Sequence, residues 1–225
     1  MVCYLSESGK GIERYAELDS GVMDVPQESP KWGMRYLQPD KVHPSALKEN
    51  VSVRQQGYWV SPETMPKQYL WANGNQALPD VMPGFIVSPR FKELIEEFES
   101  GVHQFVPIDV FKERNGAPVE TYYWFIIGHR LESVDRAHTT YKWRAGKDHP
   151  NDGRWIDEVM DTATFEFTPI PGAKLVFGNN QIAGHHIWHD PHLLTFANGL
   201  CSDKFARALL ASGMTGVAIT PRESI

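Results

Sequence analysis

Cysteine is nearly missing from this chain of 225 residues: Cys3 and Cys201 are the only two. That is too few for a disulfide framework or a cysteine zinc site, so both are read as small apolar residues in a reducing compartment. Long apolar runs are also missing, and no stretch reaches the length needed to cross a bilayer as a helix. The opening residues, Met1 to Lys10, have neither a basic start nor an apolar run of signal-peptide length, so the expected location is the cytoplasm. Basic residues are outnumbered, 22 against 28 acidic, for a net charge of −6. No basic stripe for nucleic acid is found. The phosphate-binding P-loop, the dinucleotide glycine motif, the Gly-x-Ser-x-Gly elbow and the His-Glu-x-x-His helix are all lacking, which weakens the commonest enzyme readings.

What is present is ample apolar content, 41% of residues against 22% charged, enough to bury a core. Prolines crowd the first part, with nine of the sixteen before residue 90. Each interrupts a helix or an inner strand, so residues 1–56 are expected to be a loop-rich segment packed on a main body at 57–225, and 24–44 to be extended chain and turns. Short strands are expected at Val2 to Leu5 and Gly57 to Val60.

From residue 86 the local signals sharpen. Ser88-Pro89 supplies a cap and a proline at the first helical position. Phe91, Leu94, Ile95 and Phe98 then share one face, opposite Glu93, Glu96, Glu97 and Glu99, and Gly101 stops the helix. The acidic face is read as solvated. Ser202-Asp203 caps a second helix carrying Phe205, Ala208 and Leu209 and stopped by Gly213. The two segments share a cap serine, a basic residue two positions later, then phenylalanine, helix, glycine and strand. Strands are expected at His103 to Val110 and Val119 to Ile127, joined through Asn115-Gly116, and the second of them is rich enough in aromatic and β-branched residues on both faces to be an inner strand. Others are expected at Ala163 to Thr168, Lys174 to Phe177, His185 to Trp188, His192 to Phe196 and Gly216 to Thr220. The fold class is α+β: a largely antiparallel sheet, two or more amphipathic helices packed on it, and a loop-rich amino-terminal segment. Phe91, Leu94, Phe98, Phe125, Phe205 and Leu209 are the expected core.

One histidine cluster invites a metal reading. Residues 185–192 hold His185, His186, His189 and His192. On one strand His185 and His189 stand about 13 Å apart, while His186 and His189 point to opposite faces. Pro191 disfavours the helix that would align them. A single element therefore cannot assemble the site, and no metal or other cofactor is expected. The polar loop from His138 to Trp155 offers a different surface, because Trp143, Arg144 and Trp155 are the residue types that anchor protein interfaces. The same tryptophans equally suit a core.

Several short motifs in order resemble a bacterial family, the class eleven immunity proteins of polymorphic toxin systems, formerly a domain of unknown function. They are Ile86-Val87-Ser88-Pro89-Arg90-Phe91, Gln104-Phe105-Val106-Pro107-Ile108, Tyr122-Tyr123-Trp124 with Ser133-Val134-Asp135-Arg136, and Ser202-Asp203-Lys204-Phe205 with Gly213-Met214-Thr215-Gly216. The resemblance covers roughly residues 57–220. It implies a non-enzymatic protein without catalytic residues that binds and blocks a cognate toxin, encoded by an adjacent gene and often delivered by a contact-dependent or type VI secretion system; the lack of a signal peptide adds the expectation that this toxin acts in the cytoplasm. The competing reading is a small metal-dependent enzyme built on the 185–192 cluster.

Overall fold

A computed structural model describes residues 1–7, 21–22, 37–42, 58–60, 62, 65–71, 76–145, 153–160, 167–193 and 199–225. Among these lie two helices and seventeen strands. Two sheets dominate. The first, of six strands, has the order β2-β5-β8-β9-β7-β6. It is built from β2 (Gly21–Val22), β5 (Gln68–Leu70), β6 (Val81–Met82), β7 (Ile86–Val87), β8 (Gln104–Phe111) and β9 (Glu120–Ile126). The second, of five, has the order β14-β17-β1-β16-β15. Its members are β1 (Val2–Glu7), β14 (Val176–Phe177), β15 (Ile187–Trp188), β16 (Gly199–Ser202) and β17 (Val217–Ser224). Three two-stranded ribbons complete the set: β3 (Leu37–Val42) with β4 (Tyr58–Val60), β10 (Lys142–Arg144) with β11 (Arg154–Ile156), and β12 (Glu158–Met160) with β13 (Phe167–Pro169). Pairing is antiparallel except for β5 with β8 and β14 with β17.

The α+β class holds, with β9 an inner strand between β8 and β7 as its residues predict. Instead of one sheet there are two, because strand alternation feeds three cores. Along β1, Val2 and Tyr4 face one core while Cys3 and Leu5 face another. Along β9, Tyr122 and Trp124 face one side and Tyr123 and Phe125 the other. Period-2 chains buried on both faces need a covering layer on each. The central core unites both sheets with α1 (Pro89–Phe98) and α2 (Asp203–Ala211), through Phe91, Ile95, Phe205, Ala206 and Leu209. The outer core of the six-stranded sheet contains Trp71, Met82, Ile86 and Trp124, and that of the five-stranded sheet Trp188, Phe177 and Leu200.

Each helix starts as its sequence dictates. Ser88 Oγ accepts from Phe91 N at 3.2 Å and Ser202 Oγ from Phe205 N at 3.2 Å, with Pro89 preset for the first turn of α1. The helices touch where Phe98 meets Phe205 edge-on, centroids 5.3 Å apart, and Arg90 reaches Ser212 O beyond α2. Residues 79–81 bind the turn before β17: Val81 N donates to Thr215 O, and Thr215 N to Asp80 Oδ2.

Four expectations need correction. Leu94 and Phe98 are only partly buried, since the α1 stripe centres on Phe91 and Ile95. Glu99 does not join the solvated face; it is the C-terminal cap of α1 and is buried. Leu37–Val42, within the stretch read as extended chain and turns without a paired strand, is a strand whose register with β4 shifts around Pro39. His192 lies in a turn, and Leu193 makes only a single bridge, to Trp155; residues 194–196 are outside the described residues, as are 163–166 of another expected strand. Most of 1–56 is outside them too, although Val2–Glu7 is the middle strand of the five-stranded sheet.

Candidate functional site

The loop after β9 and the loop around β15 run side by side, and the singled-out residues gather there. His189 N donates to His129 O at 3.0 Å, and Leu131 N to His189 O at 3.0 Å. A carboxylate pins the next turn. Asp190 Oδ2 accepts from Ser133 N at 2.7 Å and Ser133 Oγ at 2.9 Å, and Oδ1 from His192 N at 2.9 Å. Ser133 Oγ in turn accepts from Trp188 Nε1 at 3.0 Å. Burial pushes the Asp190 carboxyl up, against the downward pull of the His192 and Ser133 bonds.

This turn carries the tryptophan ribbon. His192 Nδ1 lies 2.8 Å from Gly153 O, so it carries the proton and donates, and Trp155 N donates to His192 O at 2.9 Å. Trp143 and Trp155 are directly opposed in the ribbon, centroids 5.2 Å apart, and Trp143 also packs on the His192 ring at 4.9 Å. Gly153 is required for that approach, because a Cβ there would stand 2.1 Å from the Trp143 ring. Arg144 is opposed to Arg154, one residue out of phase. Alternation therefore divides the expected trio: Trp143 and Trp155 share one face of the ribbon, and Arg144 takes the other with Lys142 and Arg154. Trp155 is partly buried against the outer core of the five-stranded sheet, whereas Lys142 and Arg144 are exposed. The Arg136 guanidinium stands 5.3 Å from the Trp143 ring.

The four histidines of 185–192 do not converge. His186 Nδ1 bonds Ser202 Oγ at 2.8 Å, and His192 sits beneath Trp143. His185 alone turns toward a second cluster, centred on Glu99. Glu99 Oε2 accepts from His103 Nε2 at 2.8 Å and Ile187 N at 3.0 Å, and Oε1 from His186 N at 2.7 Å. Because Gly128 N donates to His103 Nδ1 at 3.1 Å, the His103 proton is on Nε2. His129 Nε2 stands 3.5 Å from Glu99 Oε1 and 3.3 Å from His185 Nδ1. Burial alone would raise the Glu99 carboxyl, but the bonds from His103, His129 and the His186 amide outweigh it and hold the group well below the usual carboxylate range. Burial lowers His103, and burial with the neighbouring His129 lowers His185. The sequence hint was Glu99 and His103 four residues apart at a helix end; nothing local placed His129 beside them.

No curated protein matches the chain in a sequence comparison. The model of the Immunity protein family (Imm11) does match it, over residues 16–223. That span takes in the six-stranded sheet, the five-stranded sheet apart from β1 and the last residue of β17, both helices, the tryptophan ribbon and the Glu99 cluster, and the chain belongs to the Imm11 immunity protein family.

Proposed function

We propose that this protein binds a cognate toxin made by an adjacent gene and neutralises it by occlusion, shielding the toxin's active site or substrate-entry surface without turnover of its own. The observation that carries the reading is the family match over residues 16–223. The toxin would be an interbacterial effector, of a polymorphic toxin or type VI secretion system, that acts in the cytoplasm. Cys3 and Cys201, opposed across β1 and β16 as free thiols, suit such a reducing compartment. A lethal partner demands slow release, so binding should be nanomolar or tighter, about −12 kcal/mol, through roughly 800 Å² on each partner.

For the interface we favour the ribbon that carries Trp143, Arg144 and Trp155. It offers half-buried aromatic area held rigid by Asp190 and His192 on one face, and on the other exposed cations that suit an acidic patch on the toxin. The test is co-expression of the neighbouring toxin in a sensitive host with and without this protein, followed by a pull-down. Failure to rescue growth, with no complex recovered, would remove the immunity reading. Rescue that survives alanine at Trp143, Arg144 and Trp155 together would move the interface elsewhere and leave the function standing.

A further inference from the structure

We infer that Glu99, His129 and His185 form a binding site for a single divalent transition-metal ion, zinc foremost, that ties the two sheets together. The ligand atoms of the three side chains all lie within 4.8 Å of one another. Geometry supports the donor set. Two ligands about 2.1 Å from a zinc ion at the tetrahedral angle are about 3.4 Å apart. His129 Nε2 stands 3.3 Å from His185 Nδ1 and 3.5 Å from Glu99 Oε1, so two edges of the tetrahedron are already in place. The third edge, between Glu99 and His185, is within 4.8 Å, and His185 holds a half-buried loop position from which its ring has room to approach.

The surroundings are those that a ligating carboxylate needs. Glu99 is fixed by His103 and by the amides of His186 and Ile187, which leaves Oε1 one amide bond and room for a metal bond. Outer groups of this kind orient a ligand before the ion arrives. Two imidazoles and one carboxylate suit zinc better than calcium or magnesium, which prefer all-oxygen shells. Three protein ligands leave a fourth position for water. The site joins the end of α1, the segment after β9 and the approach to β15, so the ion would cross-link the six-stranded sheet to the five-stranded one. It takes only one histidine from the 185–192 run, and the other two ligands come from 86 and 56 residues earlier in the chain.

The test uses the full chain, without a histidine tag, stripped with chelator and titrated with Co²⁺ and then Zn²⁺. The expected result is one Co²⁺ per chain, with the visible absorption of a tetrahedral nitrogen and oxygen site, and a thermal midpoint that rises with zinc concentration. His185→Ala should weaken binding at least about 100-fold while circular dichroism stays unchanged, and His103→Gln about 10–100-fold, as expected for an outer-sphere group. His189→Ala, outside the site, should bind as the parent does. Absence of a cobalt spectrum together with absence of a zinc-dependent midpoint shift overturns the inference. So does binding that survives His185→Ala or disappears in His189→Ala. Neither outcome involves the toxin, so the metal site and the immunity reading stand or fall separately.

Discussion

Replacing Asp190 removes the acceptor for three donors at once: the amides of Ser133 and His192 and the Ser133 hydroxyl. The hydroxyl can rotate to another acceptor, but the two amides are fixed by the backbone. Each buried donor left without an acceptor costs about 1–3 kcal/mol, so Asp190→Ala should destabilise the protein by about 2–6 kcal/mol. For a chain of this size that lowers the thermal midpoint on the order of 10 °C. Asp190→Asn keeps one acceptor oxygen, presents an NH₂ group to one of the two amides and sheds a buried charge; its cost should be about 1–3 kcal/mol. Because burial raises the folded carboxyl pKa, the contribution of Asp190 is fully present below the unfolded value of about 4 and is lost as pH rises through the folded one. The advantage of the parent over the Asn variant should therefore be larger at pH 5 than at pH 8. Urea titrations of the three proteins at both pH values measure all of this. An Ala variant within about 0.5 kcal/mol of the parent, or an Asn variant weaker than Ala, would refute the account of the turn.

Phe98→Ala should cost about 2–3 kcal/mol by denaturant titration, below the roughly 3–5 of a fully enclosed phenylalanine because Phe98 is half-buried against Phe205 and His186; a loss under about 1 would put α1 on the wrong face. Gly216→Ala should cost at least about 2 kcal/mol, since its φ is +78° and a Cβ would stand 2.1 Å from Val81 O. Gly101→Ala, at φ +69° with open space around it, should cost only about 1, and equal losses in thermal melts would contradict the packing at Val81. Burial pushes the Tyr4 phenol up to about 12, with Arg222 pulling the other way, so its share of stability is held up to about pH 10 and lost as pH climbs to 12. Burial raises the Tyr122 and Tyr141 phenols as well, so ultraviolet titration should find several late-ionising tyrosines and one fewer of them in Tyr4→Phe, and an unchanged curve in that variant would count against it.

Local rules were legible in the sequence; meetings between distant segments were not. Ser88, Pro89 and Ser202 announced both helices, and the β-branched and aromatic run at 119–127 announced an inner strand, because capping and alternation depend on a few neighbouring residues. Two sheets rather than one could not be read, since alternation says that both faces of β1 are covered but not by what. Helical phase alone puts Glu99 on the solvated face; as the cap it leaves the helix, and its partners include the amides of residues 186 and 187. The histidine run at 185–192 drew attention to density along the chain, whereas the convergence in space belongs to His129 and His185. Residue type alone groups Trp143, Arg144 and Trp155, and only the pairing of β10 with β11 reveals that Arg144 points away from the tryptophans.

The pairing of β1 has a consequence in time. Its neighbours on either side are β16 and β17, whose first residues come about 200 residues later in the chain. At ribosomal rates of roughly 5–20 residues per second, β1 waits roughly 10–40 s for a neighbour to be made. The six-stranded sheet can assemble during that interval, but the five-stranded sheet, and with it the central core, forms last. On a translating ribosome the fold is therefore completed only after β16 and β17 have emerged, and a chain cut short before residue 199 would leave β1 with neither neighbour.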